Sequence, residues 1–204
     1  MMRDREYHLS KVKSLVGQAD LFVFTFGLTE AWECISDGAI LPTCPGTIGG
    51  TFDASRYRFK NFTFGEVMAD AESFISYALS KNPKMKFLFT VSPVPLTATA
   101  TDEHVLSATV YSKSVLRAVC GELRSKYQCV DYFPSYELVA SHPMRAMYFM
   151  PNLRAVASEG VEIVMNTFFR AQGDDESGST VDVIEQKSDL DPVCEEVILE
   201  TFGV

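Results

Sequence analysis

The sequence predicts an α/β fold built on a parallel sheet with helices on both faces. Three observations carry that expectation. The run LFVFTF (21–26) shows no two-residue alternation and reads as a strand covered on both faces, as in the middle of a parallel sheet, and KFLFTV (86–91) repeats the theme. Segments with helical spacing separate these runs, giving the order helix, strand, helix, strand, helix, strand, helix. A length of 204 residues with 47% hydrophobic content is enough for one domain with a sizeable core. Three strands nevertheless make a thin sheet.

Taken in order, Leu9, Val12, Leu15, Val16 and Ala19 fall at helical spacing and define an amphipathic helix over 6–19. The first strand ends abruptly at Gly27, followed by Thr29, Glu30 and the sole tryptophan, Trp32. Beyond it, Gly38, Pro42, Pro45, Gly46, Gly49 and Gly50 break any helix, so this stretch reads as a long loop with a short hairpin around 51–59. Thr63 and Glu66 have the T-x-x-E spacing of a capping box. The helix they open carries Val67, Met68, Ala71, Phe74, Ile75, Ala78 and Leu79 on one face and stops at Lys81-Asn82-Pro83. After KFLFTV comes SPVPLTATATDEH, then a long helix from about His104 to Tyr127, then a third strand, CVDYF (129–133). Ser158 is placed to cap a last helix built on Val161, Val164, Met165 and Phe168.

The net charge of −9 is unevenly distributed. Ten of the 27 acids and one of the 18 bases lie from Gln172 onward, which leaves 17 of each before it. The body is therefore neutral. With no basic stripe to follow a phosphate backbone, the composition argues against nucleic-acid binding. Residues 172–192 are acidic and nearly free of aromatics, and read as a disordered linker, with Asp191-Pro192 opening a short helix over 193–204. The domain proper is then 1–171. No apolar run approaches the roughly 20 residues of a membrane span, and no apolar stretch of signal-peptide type follows the charged start. Five cysteines, odd in number and without a C-x-x-C pair, fit free thiols in a reducing compartment, the cytoplasm. Three dispersed histidines offer no zinc site.

Candidate functional residues follow from the first strand's end. In open α/β sheets ligands bind outside the carboxyl ends of the strands. There Gly27 permits close backbone approach and Thr29 and Glu30 offer polar groups. The plainer alternative is a turn glycine with Glu30 solvated. Cys44 in the following loop lacks a neighbouring histidine and reads as an inert thiol.

Several segments together resemble the GSCFA family, related to the SGNH/GDSL hydrolases: LFVFTFGLTEAW, LPTCPG, FLFTVSPVPLTAT, YSKSVLRA and above all YFPSYE (132–137). The similarity spans roughly 15–171. It implies a flavodoxin-like, SGNH-type three-layer α/β/α fold and O-acyl ester chemistry, either hydrolysis or acyl transfer, on an acylated small molecule or glycan, without a cofactor. In that chemistry a serine attacks the acyl carbonyl, a histidine three residues after an acid serves as base, and amides form an oxyanion hole. By position, Gly27-Leu28-Thr29-Glu30 matches the block that reads G-x-N-D in SGNH relatives. Thr29 then stands at the oxyanion donor, with Glu30 and Trp32 beside the substrate. Ser92, Ser112 and Lys113 fall in family-typical positions.

Two motifs are missing. The sequence contains no Gly-Ser-Cys-Phe-Ala segment, the presumed source of the nucleophile, and no D-x-x-H. Met1 is expected to stand after the first motif, so that the first strands of the sheet are lacking and an exposed sheet edge favours self-association. In place of the second, the chain reads Asn152-Leu153-Arg154-Ala155. His142 is the nearest substitute base and Ser92 the nearest nucleophile; the alternative for His142 is a solvated loop histidine ahead of Pro143. Arg145 and Arg154 can meet an anion or simply face water. Tyr132, Phe133 and Tyr136 can line a pocket or pack in the core.

Overall fold

The computed structural model describes residues 2–173; the expected linker from residue 174 onward and the expected helix over 193–204 lie outside the described residues. The first helix, α1 (Met2–Gln18), leads into β1 (Leu21–Phe26). A small antiparallel unit comes next: β2 (Glu30–Cys34), β3 (Ile40–Leu41) and β4 (Tyr57–Asn61). Then follow α2 (Phe64–Lys81), β5 (Lys86–Val91), α3 (Val105–Lys126), β6 (Val130–Tyr132), α4 (Ser135–Ala140), a single 3-10 turn (His142–Met144) and α5 (Ser158–Ala171).

The main sheet has the order β1-β5-β6 and is wholly parallel, with Leu21 opposite Lys86, Phe26 opposite Val91 and Phe89 opposite Tyr132. Helices α2 and α3 cover the face bearing Phe87, Phe89 and Val91, and with Ile75, Leu116, Val119 and Leu123 they form the core. On the opposite face, Thr90 meets the hydroxyl of Ser135 in α4. This is the expected layered α/β architecture with a parallel sheet.

The position of β1 differs from the expectation. The central strand is β5, and β1 lies at the edge with Val23 55% and Phe24 45% exposed. An apolar run reports an affinity for burial but not a place in the sheet. Here both covering helices pack over β5, and no described strand pairs with the outer edge of β1.

The Gly/Pro-rich stretch is also more ordered than its composition suggests. Its strands form a second sheet, β3-β2-β4, in which Trp32 lies opposite Leu41 and Phe59. The hairpin expected around 51–59 is therefore absent, and β4 pairs with β2 instead. Trp32 holds this sheet together through edge-on contacts with Phe52 and Phe59. Gly46 (φ +96°) makes the intervening turn, where a Cβ would lie 2.8 Å from the Phe52 nitrogen.

The helix ends follow local chemistry. The capping box forms as spaced: Thr63 Oγ1 accepts from the Glu66 amide, and Glu66 Oε2 accepts from the Thr63 amide at 2.9 Å. At α3 the N-cap is His104, whose Nδ1 accepts from the Leu106 amide at 3.2 Å. The expected cap of α5 is displaced by one residue. Ala157 occupies the N-cap position and Ser158 sits inside the first turn with its hydroxyl on Glu159. The reason lies just upstream, where Ala157 N donates to Tyr148 O at 2.8 Å and fixes the point of entry. Gly160 then passes Tyr148 so closely that a Cβ would lie 2.9 Å from the Tyr148 Cβ.

Candidate functional site

At the carboxyl end of the parallel sheet the chain turns sharply from β1 into β2 through Gly27-Leu28-Thr29. Two consecutive side chains of α3 hold that turn. Ser112 Oγ accepts from the Thr29 amide at 2.8 Å, and Lys113 Nζ donates to the Gly27 carbonyl at 2.8 Å. Thr29, Ser112 and Lys113 are each at most 1% exposed. A buried ammonium or hydroxyl is tolerated only when satisfied, so these bonds are part of why the turn has this shape. Thr29 makes two more: its hydroxyl donates to Asn61 Oδ1 at 2.7 Å, and its carbonyl accepts from the Phe62 amide. Both hydrogen-bond donors of Thr29 are thus used on protein acceptors.

Glu30 faces the loop after β5. Its Oε1 accepts from Thr99 Oγ1 at 2.7 Å, and Thr99 is bonded in turn to Thr101. Ser92 begins the same loop: its amide donates to Phe26 O, extending the β1–β5 ladder by one bond, while its hydroxyl accepts from the Val94 amide at 3.2 Å. A third strand-end loop joins through Arg154, whose guanidinium donates to the Thr97 carbonyl at 2.8 Å. The strand ends therefore bring together Gly27, Thr29, Ser112 and Lys113 as one cluster, with Glu30, Thr99, Thr97 and Arg154 as its neighbours. Asn61 and Thr99 were not anticipated from the sequence; the repeated threonines of TATAT were the available signal for the latter.

His142 and Trp32 stand apart from that cluster. His142 is exposed in the 3-10 turn, where its carbonyl accepts from the Arg145 amide. Trp32 belongs to the core of the small sheet. Among the described residues no serine or cysteine side chain is hydrogen-bonded to a histidine, and no three His, Cys, Asp or Glu residues gather as a metal-holding group. Cys34, Cys44, Cys120 and Cys129 are free thiols, and burial pushes the Cys120 thiol up to about 12. No described helix is long and apolar enough to cross a membrane.

The segments LFVFTFGLTEAW, FLFTVSPVPLTAT, YSKSVLRA and YFPSYE meet in space. Ser112 and Lys113 reach the first, and Thr90 meets Ser135 to join the second to the fourth. Arg117 pairs with Glu137 while its guanidinium lies 4.1 Å from the Tyr132 ring centroid, and Tyr132 Oη donates to Glu137 at 2.8 Å. Burial, then the Glu137 carboxylate, raises the Tyr132 phenol above its ordinary range. Residues 1–168 match the GSCFA family. The chain belongs to the GSCFA family. No curated protein and no solved structure matches it.

Two further features of this GSCFA chain bear on chemistry. Where a D-x-x-H is expected, Asn152 Oδ1 accepts from the Arg154 and Ala155 amides at 3.0 and 3.1 Å, so the side chain shapes the backbone. Leu153 between them takes a left-handed conformation (φ +57°). The second feature is an apolar cleft of about 370 Å3 between β1 and α2. Phe22, Phe24 and Phe26 form one wall and Val67, Ala71 and Phe74 the other. Phe89 and Leu116 lie at its base, and the Gly27-Leu28 turn closes one end.

Proposed function

We propose that this GSCFA chain is the substrate-holding body of an SGNH-like O-acyl esterase or acyltransferase, binding an acylated substrate such as an O-acylated glycan. The single observation that carries this reading is the locked turn Gly27–Glu30 at the sheet's carboxyl end. A turn fixed by Ser112, Lys113 and Asn61 keeps its shape as substrate binds, so it supports a rigid surface that positions an acylated substrate, although the Thr29 donors themselves are taken by Ser112 and Asn61. Glu30 and Thr99 stand beside it to meet sugar hydroxyls. The free thiols fit a reducing, cytoplasmic setting, and residues 1–171 are the unit that performs the binding.

This polypeptide alone is expected to have little or no esterase activity. Ser92 and His142 belong to separate loops with no hydrogen bond between them, and an acyl-transfer nucleophile needs its base within reach. The same observation favours the second reading, a non-catalytic module of this fold that binds a glycan or protein.

Two measurements test the proposal. A fluorophosphonate probe followed by intact mass is expected to leave the folded chain unmodified; an adduct on one serine overturns the holding role and names a nucleophile. Titration with 6-acetamido-6-deoxyglucose, an amide stand-in for an acetylated sugar, is expected to move the amide resonances of Gly27–Glu30 and Thr97–Thr99. No movement there, from a folded chain, overturns acyl-substrate binding.

A further inference from the structure

We infer that the cleft between β1 and α2 takes the hydrocarbon part of the acyl group, so that the chain selects medium-length acyl substrates over acetyl ones. The inference rests on the acyl-substrate reading above and extends it to the acyl chain itself.

The position of the cleft is the first argument. Gly27 belongs to both places: its carbonyl is held by Lys113 at the polar strand end, and its backbone closes the apolar cleft. An acyl carbonyl at the turn therefore sends its chain along the Phe22-Phe24-Phe26 wall without crossing polar surface. The second argument is the lining. Asp70 is the single charged residue on it, and it is an acid. A free fatty-acid carboxylate gains nothing from that neighbour, whereas a neutral acyl ester brings no charge to repel. The third is depth. Phe89 and Leu116 at the base are each 2% exposed in the protein, so a chain reaching them leaves water behind. A volume of about 370 Å3 is in the range of small-ligand pockets. An acetyl methyl would leave most of it unfilled. A second copy of this chain adding its own β1 to the open edge would compete for the same aromatic surface, and the experiment separates the two.

The test compares 6-acetamido-6-deoxyglucose with 6-octanamido-6-deoxyglucose, two neutral ligands with one head group, by calorimetry on the full chain. The octanoyl ligand is expected to bind at least about tenfold tighter, a gain that burying only a few methylenes supplies. In Ala71→Trp, which fills the cleft from the α2 side, the two ligands are expected to bind alike, with folding checked by circular dichroism. Phe24→Ala, at a half-exposed position and with folding checked in the same way, is expected to reduce the gain several-fold and decides the matter should Ala71→Trp not fold.

Equal affinity of the two ligands in the wild type overturns the inference, as does an octanoyl gain that either substitution leaves unchanged. A stable dimer by sedimentation that the octanoyl ligand neither enters nor dissociates also overturns it and assigns the cleft to self-association. The acetamido ligand still moving Gly27–Glu30 in these cases leaves the acyl-substrate reading standing. Loss of binding by both ligands removes both.

Discussion

Ser112 and Lys113 are neighbours in sequence, and on a helix consecutive side chains diverge by about 100°. Both nevertheless reach one turn, because Gly27 offers an acceptor to Lys113 and Thr29 a donor to Ser112. Substituting Ser112→Ala removes the acceptor for the Thr29 amide, and Thr29 is too buried for water to replace it. A loss of about 1–3 kcal/mol in urea unfolding is expected. A loss below about 0.5 kcal/mol, the range of ordinary surface substitutions, would mean that the amide finds another partner. The bond spans 83 residues of sequence. No spacing rule reaches that far, which is why the likeness to a family pointed to Ser112 and Lys113 while periodicity alone was silent. Asn152 illustrates the converse. Its identity was plain in the sequence, but its backbone-shaping role depends on the left-handed Leu153, which no pattern announced.

At the scale of elements, α2 was the most legible, because its signals are local. The capping box lies within four residues, the apolar stripe within five turns, and Asn82-Pro83 stops what Thr63 starts. Bonds from Lys60 and then from the Thr63 amide and hydroxyl hold the Glu66 carboxyl at about 2, below its ordinary 4.5. A carboxyl depressed on folding stabilises the native state above the unfolded value and loses that contribution as pH falls through the folded one. The thermal midpoints of wild type and Glu66→Gln are therefore expected to converge between about pH 4.5 and 2. A constant difference across that window would mean that the charge contributes nothing. Thr63→Ala is expected to cost about 1 kcal/mol at neutral pH. The small sheet was illegible for the opposite reason. β3 has two residues, and β2 and β4 are brought together across a Gly/Pro-rich stretch by tertiary contacts of Trp32 with Phe52 and Phe59.

For the whole molecule, alternation of helices and strands was enough to read a layered α/β fold with a parallel sheet, whereas strand order was not readable. The runs LFVFTF and KFLFTV are nearly equal in composition. Only packing by α2 and α3 decides which one is central. The difference has a measurable consequence: among the described residues β1 is paired on one side and has exposed side chains, and β5 is paired on both sides with mostly buried ones. Native-state hydrogen exchange is expected to open β1 amides at lower free energy than those of β5. Equal protection in both strands would mean that the sheet opens as one unit.

The register of the sheet also bears on how the chain is made. Leu21 waits for Lys86, so the whole β2–α2 stretch must be synthesised before LFVFTF meets β5. At about 5–20 residues per second that interval lasts several seconds. Throughout it, six uncharged residues of high β-propensity lie open on a nascent chain, the composition that pairs readily with copies of itself. LFVFTF thus stays exposed on the growing chain until β5 emerges, and the yield of folded protein at high expression depends on what shields it meanwhile.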